Sequence, residues 1–344
     1  MDIAKQIQQQ LIDASSNKQP LQIIGNGSKS FYGRSAAGDP LRVKEHTGII
    51  DYQPDELTIT ARAGTPLSVI NDLLTDHGQM LPFEPPTFSG RATLGGCIAS
   101  GLAGPRRPWT GATRDYVIGI RLLTGDGRDL RLGGKVMKNV AGYDLFRPMT
   151  GALGTLGVML EITLKLLPVP EHEISFRIDA GEQEMVSLLH DWTYASLPLS
   201  AASHCCGKFN IRLSGTQSSI DDSIAKLPAD REDLSPDYWQ QLNEQQLDFF
   251  TGNEALYRFV VPANAPATNT GGDSMLDWGG ALRWQKSTLP FEEVQHIATK
   301  LGGSVALYRN GNRDKEVFPA LPENLFTLHQ RIKQVLDPAG ILNP

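Results

Sequence analysis

The chain has 344 residues, 40% hydrophobic and 20% charged, with a formal net charge of −6. That length accommodates two domains with sizeable cores, the mixed charge excludes wholesale disorder, and no apolar run approaches the roughly 18–20 residues of a membrane span. The three cysteines, Cys97, Cys205 and Cys206, show no CxxC spacing, which excludes a zinc finger or an iron–sulfur centre held by this chain alone.

The opening stretch MDIAKQIQQQLIDASS repeats Ile3, Ile7 and Leu11 at helical spacing. It lacks the basic and apolar regions of a secretion signal, so it reads as a surface helix of a cytoplasmic protein. Pro20–Ile24 is a strand running into the glycine loop Gly25-Asn26-Gly27-Ser28-Lys29. This loop has neither the GxGxxG spacing nor the Gly-Lys-Ser/Thr ending of the common nucleotide fingerprints. A pyrophosphate cradle and an ordinary turn explain it equally well.

Leu57–Arg62 alternates as a half-buried strand. Thr65 is placed to cap a helix over Leu67–His77, with Pro66 in its first position and Gly78 just past its end. Pro82, Pro85 and Pro86 make the next stretch extended. Val117–Thr124 and Arg128–Leu132 flank Gly125-Asp126-Gly127, a hairpin signal. Leu156–Leu167 alternates as a further strand until Pro168 and Pro170 break the pattern, and the domain boundary is placed there.

Beyond it, strand-like and amphipathic helical pieces alternate, which predicts an α+β sheet with helices on one face. These pieces are Glu173–Ile178, Glu184–Trp192, Phe209–Leu213, Ile220–Leu227, Tyr238–Phe250, Ala255–Val261, Gly280–Gln285, Phe291–Leu301, Val305–Tyr308 and Leu325–Leu336.

Glycine and charge are both unevenly spread. Of 34 glycines, 15 lie between Gly90 and Gly157, in runs such as ATLGGCIASG and TGALGTLGV. Such loops let backbone approach a ligand and form concave N–H nests suited to anions, so two nests about 65 residues apart suggest a large phosphorylated cofactor held from both sides; tight helix–sheet packing is the competing explanation. Residues 91–147 carry ten Lys/Arg against four Asp. With no interleaved exposed aromatics or recognisable nucleic-acid module, this basic segment fits an anionic cofactor or acidic partner; a solvated basic face is the plainer alternative. Arg106, Arg107, Lys138 and Tyr143 are the candidate anion or substrate contacts. Cys205 and Cys206 are adjacent and read as buried structural thiols, since an ordinary disulfide between them would be strained.

The order of these segments, closing on DPAGILNP, resembles the PCMH-type FAD-binding family typified by vanillyl-alcohol oxidase. The stretches GLAGPRRPWTGATRDYVIG and VMKNVAGYDLFRPMTGALGTLGV are most similar to the FAD-binding E subunits of bacterial glycolate dehydrogenase. The resemblance implies an α+β fold: a two-part FAD-binding domain over residues 1–170 and a smaller α+β cap domain over 171–344. By position it carries Gly25, Asn26, Gly27, Ser28 and Lys29 onto the pyrophosphate loop. It carries Thr93, Gly95 and Gly96 onto the second FAD loop, Gly111, Asp115 and Val117 onto the stretch after it, and Gly151, Gly154, Gly157 and Val158 onto a third.

Ser28 stands where covalent flavoproteins of the family place a histidine, so non-covalent FAD is expected. The implied activity is oxidation of glycolate or a similar 2-hydroxy acid, in a complex with a larger FAD subunit and an iron–sulfur subunit, with association to the inner membrane only through those partners. The alternatives are a self-sufficient hydroxy-acid or alcohol dehydrogenase and a non-catalytic assembly subunit. The sequence names no catalytic residue: such chemistry needs a proton acceptor and a cation for the carboxylate, while the histidines of the second half (His172, His190, His204, His296, His329) form no HxH or HxxxH pair and no metal set.

Overall fold

The first helix, Ala4–Asn17, turns Ile7, Leu11 and Ala14 onto one face, and all three are buried. In this computed structural model, which describes residues 1–134, 145–235 and 237–343, that face packs on Leu21, Leu41, Leu123, Val158 and Leu160, and on Ile341 and Leu342 near the end of the chain. Strand Leu21–Ile24 pairs in parallel with Asp39–Arg42, a short strand that the sequence pattern hides behind Pro40.

A five-stranded antiparallel sheet follows, in the order Ile49–Gln53, Thr58–Arg62, Val158–Lys165, Val117–Leu123, Asp129–Gly133. The Gly-Asp-Gly hairpin forms as its residues dictate, with Gly127 at φ 82°. Helices Leu67–Asp76 and Leu94–Ser100 cover one side of the sheet through Leu67, Ile70, Leu74, Leu94 and Ile98. Two local readings change. The first of these helices begins at Leu67 with Pro66 as its cap residue, and the Thr65 hydroxyl instead bonds the Gly48 backbone (3.0 Å to its N–H). The second glycine segment is mostly helix, with Thr93 as its cap: the Thr93 hydroxyl accepts the Gly96 N–H.

After Pro168 the chain builds an eight-stranded antiparallel sheet from strands between His172 and Arg309. Two of its strands, Leu199–Cys205 and Ser274–Asp277, escape sequence reading because their residues are small or polar without alternation. The helices Glu182–Tyr194 and Phe291–Lys300 cover one face, where Phe209, Ile211, Phe259 and Val305 meet Met185, Leu189, Val294 and Ala298. The other face, with Trp284 and Tyr308, meets Phe31, Phe88 and Leu102 of the first half. The period of two along a strand places Arg258, between Tyr257 and Phe259, on that second face, paired in register with Trp284.

The last helix, Glu323–Leu336, leaves the sheet and delivers residues 337–343 back to the first half. Buried Asp337 accepts the Ile341 and Leu342 N–H groups (3.1 and 2.9 Å), and Leu342 bridges to Leu21.

Candidate functional site

The three glycine segments converge. A Cβ on Gly25 would stand 2.7 Å from the Thr93 hydroxyl, and the Asn26 amide donates to the Arg91 carbonyl at 3.1 Å, so the first loop lies on the second. The Gly151 N–H donates to Ile98 O (3.0 Å) and the Leu153 N–H to Ala99 O (2.9 Å), which seats the third loop on the helix that follows Thr93. Asn343 closes the ring: its Oδ1 accepts the Ile23 N–H at 2.7 Å and its amide donates to the Leu153 carbonyl.

Within this ring the glycines do different things. Gly27, Gly90 and Gly151 have φ of 70°, 73° and 83° with nothing within 4 Å of where a Cβ would be, so backbone there faces open space. Gly95 instead packs on the sheet, its absent Cβ 2.8 Å from that of Ala63, and Gly154 packs on Asn343. Gly157 lies against Leu122 and Val158 is buried core. Gly111, at φ 114°, sits where the Asp115 carboxylate accepts the Ala112 N–H, and Val117 points into the core.

Two further observations fit a bound anionic cofactor. The Thr150 hydroxyl is buried with no partner among the described residues. Lys29 reaches inward to 5.3 Å from the Phe88 ring centroid with no carboxylate of a described residue in ion-pair range, and burial holds its amine below the usual lysine value, partly offset by Cys97 and Glu244. An open cradle, an orphan hydroxyl and an unpaired ammonium together match the needs of a pyrophosphate. Ser28 is buried beside Lys29.

The basic candidates separate. Arg106 is 5% exposed and engaged throughout: its Nε meets Glu84 at 3.0 Å, and its guanidinium meets Glu173 at 2.7 Å. Arg212 reaches the same Glu84 carboxylate at 2.8 Å, completing a network that joins the two halves. Burial would raise the Glu173 carboxyl, but Arg212, the Ser214 hydroxyl and Arg106 outweigh it and hold it below its usual value. Arg106 is therefore neither a solvated face nor a free anion contact. Arg107 is different: its guanidinium lies 4.3 Å over the Trp278 ring. Lys138 and Tyr143 lie outside the described residues.

The sequence missed what stands opposite Arg107. Arg258 lies 5.0 Å from the Trp278 centroid and 5.9 Å from that of Trp284. Beside it, Asp277 is 4% exposed and accepts the Trp278 N–H at 2.7 Å. Burial, with Glu84 adding to it, pushes the Asp277 carboxyl up to about 7 against the Trp278 N–H, Arg258 and Arg212. Arg258, Asp277, Tyr308 and Gly104 line a cavity of about 20 Å³ between the halves. Only the register of the cap sheet could have revealed this pairing, because the residues come from separate strands. A larger cleft of about 660 Å³ opens on the other side of Glu84 and Arg212, and none of its walls belongs to the glycine loops.

The remaining candidates scatter. His204 is buried with Nε2 2.9 Å from the Ala180 carbonyl, and His172, His190, His296 and His329 are exposed. Among the described residues no three His, Cys, Asp or Glu side chains gather as a metal site. Cys206 is exposed and Cys205 half-buried, at a hairpin tip with Cys206 at φ 55° and Gly207 at 74°. The reading of both as buried structural thiols is corrected accordingly: a two-residue turn projects one of them outward.

Residues 3–133 match the family described as FAD binding domain. The chain is 45% identical over 343 residues to glycolate oxidase subunit GlcE of Escherichia coli (strain K12), covering 100% of this chain and 97% of that protein. It is 32% identical over 182 residues to glycolate oxidase subunit GlcD of Bacillus subtilis (strain 168), covering 51% of this chain and 38% of that one. Alkyldihydroxyacetonephosphate synthase has a similar fold, with a TM-score of 0.67 at 14% identity over 99% of this chain and 75% of that chain.

Proposed function

This chain belongs to the family of the glycolate oxidase subunit GlcE, and on that premise we propose that it is the FAD-binding subunit of a complex that oxidises glycolate to glyoxylate. The observation that carries the reading is the closed ring of three glycine loops and Asn343 around open backbone at Gly27, Gly90 and Gly151. Gly25, Asn26, Gly27, Ser28 and Lys29 would hold the pyrophosphate, Thr93 and Gly96 would support that loop from below, and Gly151 with the Thr150 hydroxyl would close the far side. Gly95, Gly154, Gly157 and Val158 serve the same site by shaping it. Ser28 offers no imidazole for a covalent link, so the cofactor is held non-covalently.

FAD, when bound, supplies the two-electron acceptor that no side chain provides. The protein's own part is to bind the phosphates, to exclude water where Phe31, Phe88, Trp284 and Tyr308 close the junction, and to present charged groups from the cap sheet. Electrons leave by an iron–sulfur partner subunit, since three cysteines are fewer than the four a cluster ordinarily takes, and a larger FAD subunit completes the assembly.

A subunit role also fits the last helix, Glu323–Leu336, which leaves Leu325, Phe326 and Leu328 exposed. No helix among the described residues is long and apolar enough to cross a membrane, so cytoplasmic residence with membrane association through partners is part of the proposal.

Anaerobic glycolate added to the chain co-purified with its partners tests the function. Bleaching of the flavin absorbance is expected. A flavin that stays oxidised in the intact complex would contradict it.

A further inference from the structure

Most arginines at the junction of the two halves are spoken for. Arg106 and Arg212 share Glu84 and Glu173, and Arg309 donates to Gln245 at 2.6 Å. Arg258 and Arg107 are not: neither guanidinium makes a hydrogen bond or an ion pair with a described residue, and both are held only by the Trp278 ring, with Trp284 adding a second surface for Arg258. A guanidinium stacked on indole keeps its five N–H donors free at the rim of the plane. Both side chains are only half-buried, and placing two cations on one ring adds repulsion, which joins burial in holding Arg107 below the usual arginine value. An anion beside both guanidinium groups would offset that repulsion.

We propose that Arg258 binds the carboxylate of a small 2-hydroxy acid at the mouth of the cavity between the halves, with Arg107 strengthening the field and the Asp277 carboxyl hydrogen-bonding the hydroxyl. The proposal rests on the FAD-dependent reading above and deepens it by naming the substrate contacts. The cavity sets the size class. At about 20 Å³ it has room for roughly one water-sized group, so a single carboxylate oxygen enters, the rest of the acid stays at the mouth, and a long side chain on C2 has no room inside. Its walls are held in place: the Trp278 indole donates to the Gly104 carbonyl at 2.9 Å, and the Gln245 amide donates to the Tyr308 hydroxyl at 2.6 Å.

Recognition is then by charge and size together. The same side chains meet the two requirements that no cluster of histidines supplies: a cation for the carboxylate, and a group able to exchange a proton with the hydroxyl.

The flanking indoles provide a readout independent of turnover. Titrating the purified chain with oxalate, an anion of the same size that cannot be dehydrogenated, should change tryptophan fluorescence saturably. Arg258→Gln should weaken oxalate binding at least tenfold at unchanged FAD content, while Arg258→Lys, which keeps the charge, should recover part of it. Oxalate binding unchanged in both variants, each folded and holding FAD, would overturn the proposal. So would a wild-type fluorescence that oxalate does not alter. A wild-type chain that binds oxalate but never takes up FAD would instead sink the cofactor reading and leave the anion site standing, so the two failures are distinguishable.

Discussion

The Ile23 N–H donates to Asn343 Oδ1 at 2.7 Å across 320 positions of sequence. Asn343 also donates to Leu153, so one amide near the end of the chain holds the first and third glycine loops at a fixed separation. Replacing it by Ala removes a donor and an acceptor and leaves partly buried backbone groups unpaired, a cost of about 1–3 kcal/mol each. Asn343→Ala should therefore lower FAD affinity while the cap sheet keeps its packing. Equilibrium titration with FAD checks it, and an unchanged dissociation constant would separate the tail from the cofactor site.

Glycine substitutions should divide into two classes. Gly151→Ala meets no atom but forces a left-handed residue, at about 1–2 kcal/mol, and puts a methyl where backbone faces open space; it should reduce FAD retention more than stability. Gly95→Ala puts its methyl 2.8 Å from Ala63 Cβ and should lower the melting temperature of the chain even without FAD. Equal behaviour of the two variants would contradict the division.

Arg106 should matter to stability and not to the cofactor. Arg106→Met leaves Glu84 and Glu173 with Arg212 alone, and breaking a buried network of this kind costs about 3–5 kcal/mol. Urea unfolding would measure it. A stable variant that had lost only FAD would return Arg106 to the list of anion contacts.

Asp277 predicts a pH dependence whose sign follows from its direction of shift. Its carboxyl is raised from an ordinary 3.8 to about 7, so the stability it contributes is full below pH ~4 and is lost as pH rises towards 7. Asp277→Asn should remove that slope. Oxalate binding should likewise weaken as pH climbs through about 7, since an ionised Asp277 competes for Arg258 and repels the anion; Glu84, Arg212 and Tyr238 are the other titratable or charged groups coupled to it. A flat wild-type profile for both quantities would contradict the assignment.

How much of this was legible in the chain varies by feature. The Gly-Asp-Gly hairpin, the first helix and the three glycine segments follow from local rules, because glycine, turn residues and apolar spacing act within a few positions. The strand Leu199–Cys205 did not, since LSAASHC carries no period and is buried on both faces by tertiary packing. The roles of Gly95 and Gly151 look alike in sequence and differ only in what lies opposite them, Ala63 or open space. Arg106 read as a free cation until Glu84, Glu173 and Arg212 were seen around it. Arg258 and Asp277 could not be paired beforehand, because their strands are not neighbours in the sheet and are joined only through the register each makes with Leu282–Lys286.

The most direct test of the account is the flavin content of the purified chain on its own. The account predicts about one FAD per chain, released intact into solution when the protein is denatured by acid, as a non-covalently held cofactor must be. A folded, colourless chain that takes up no FAD on titration would contradict it.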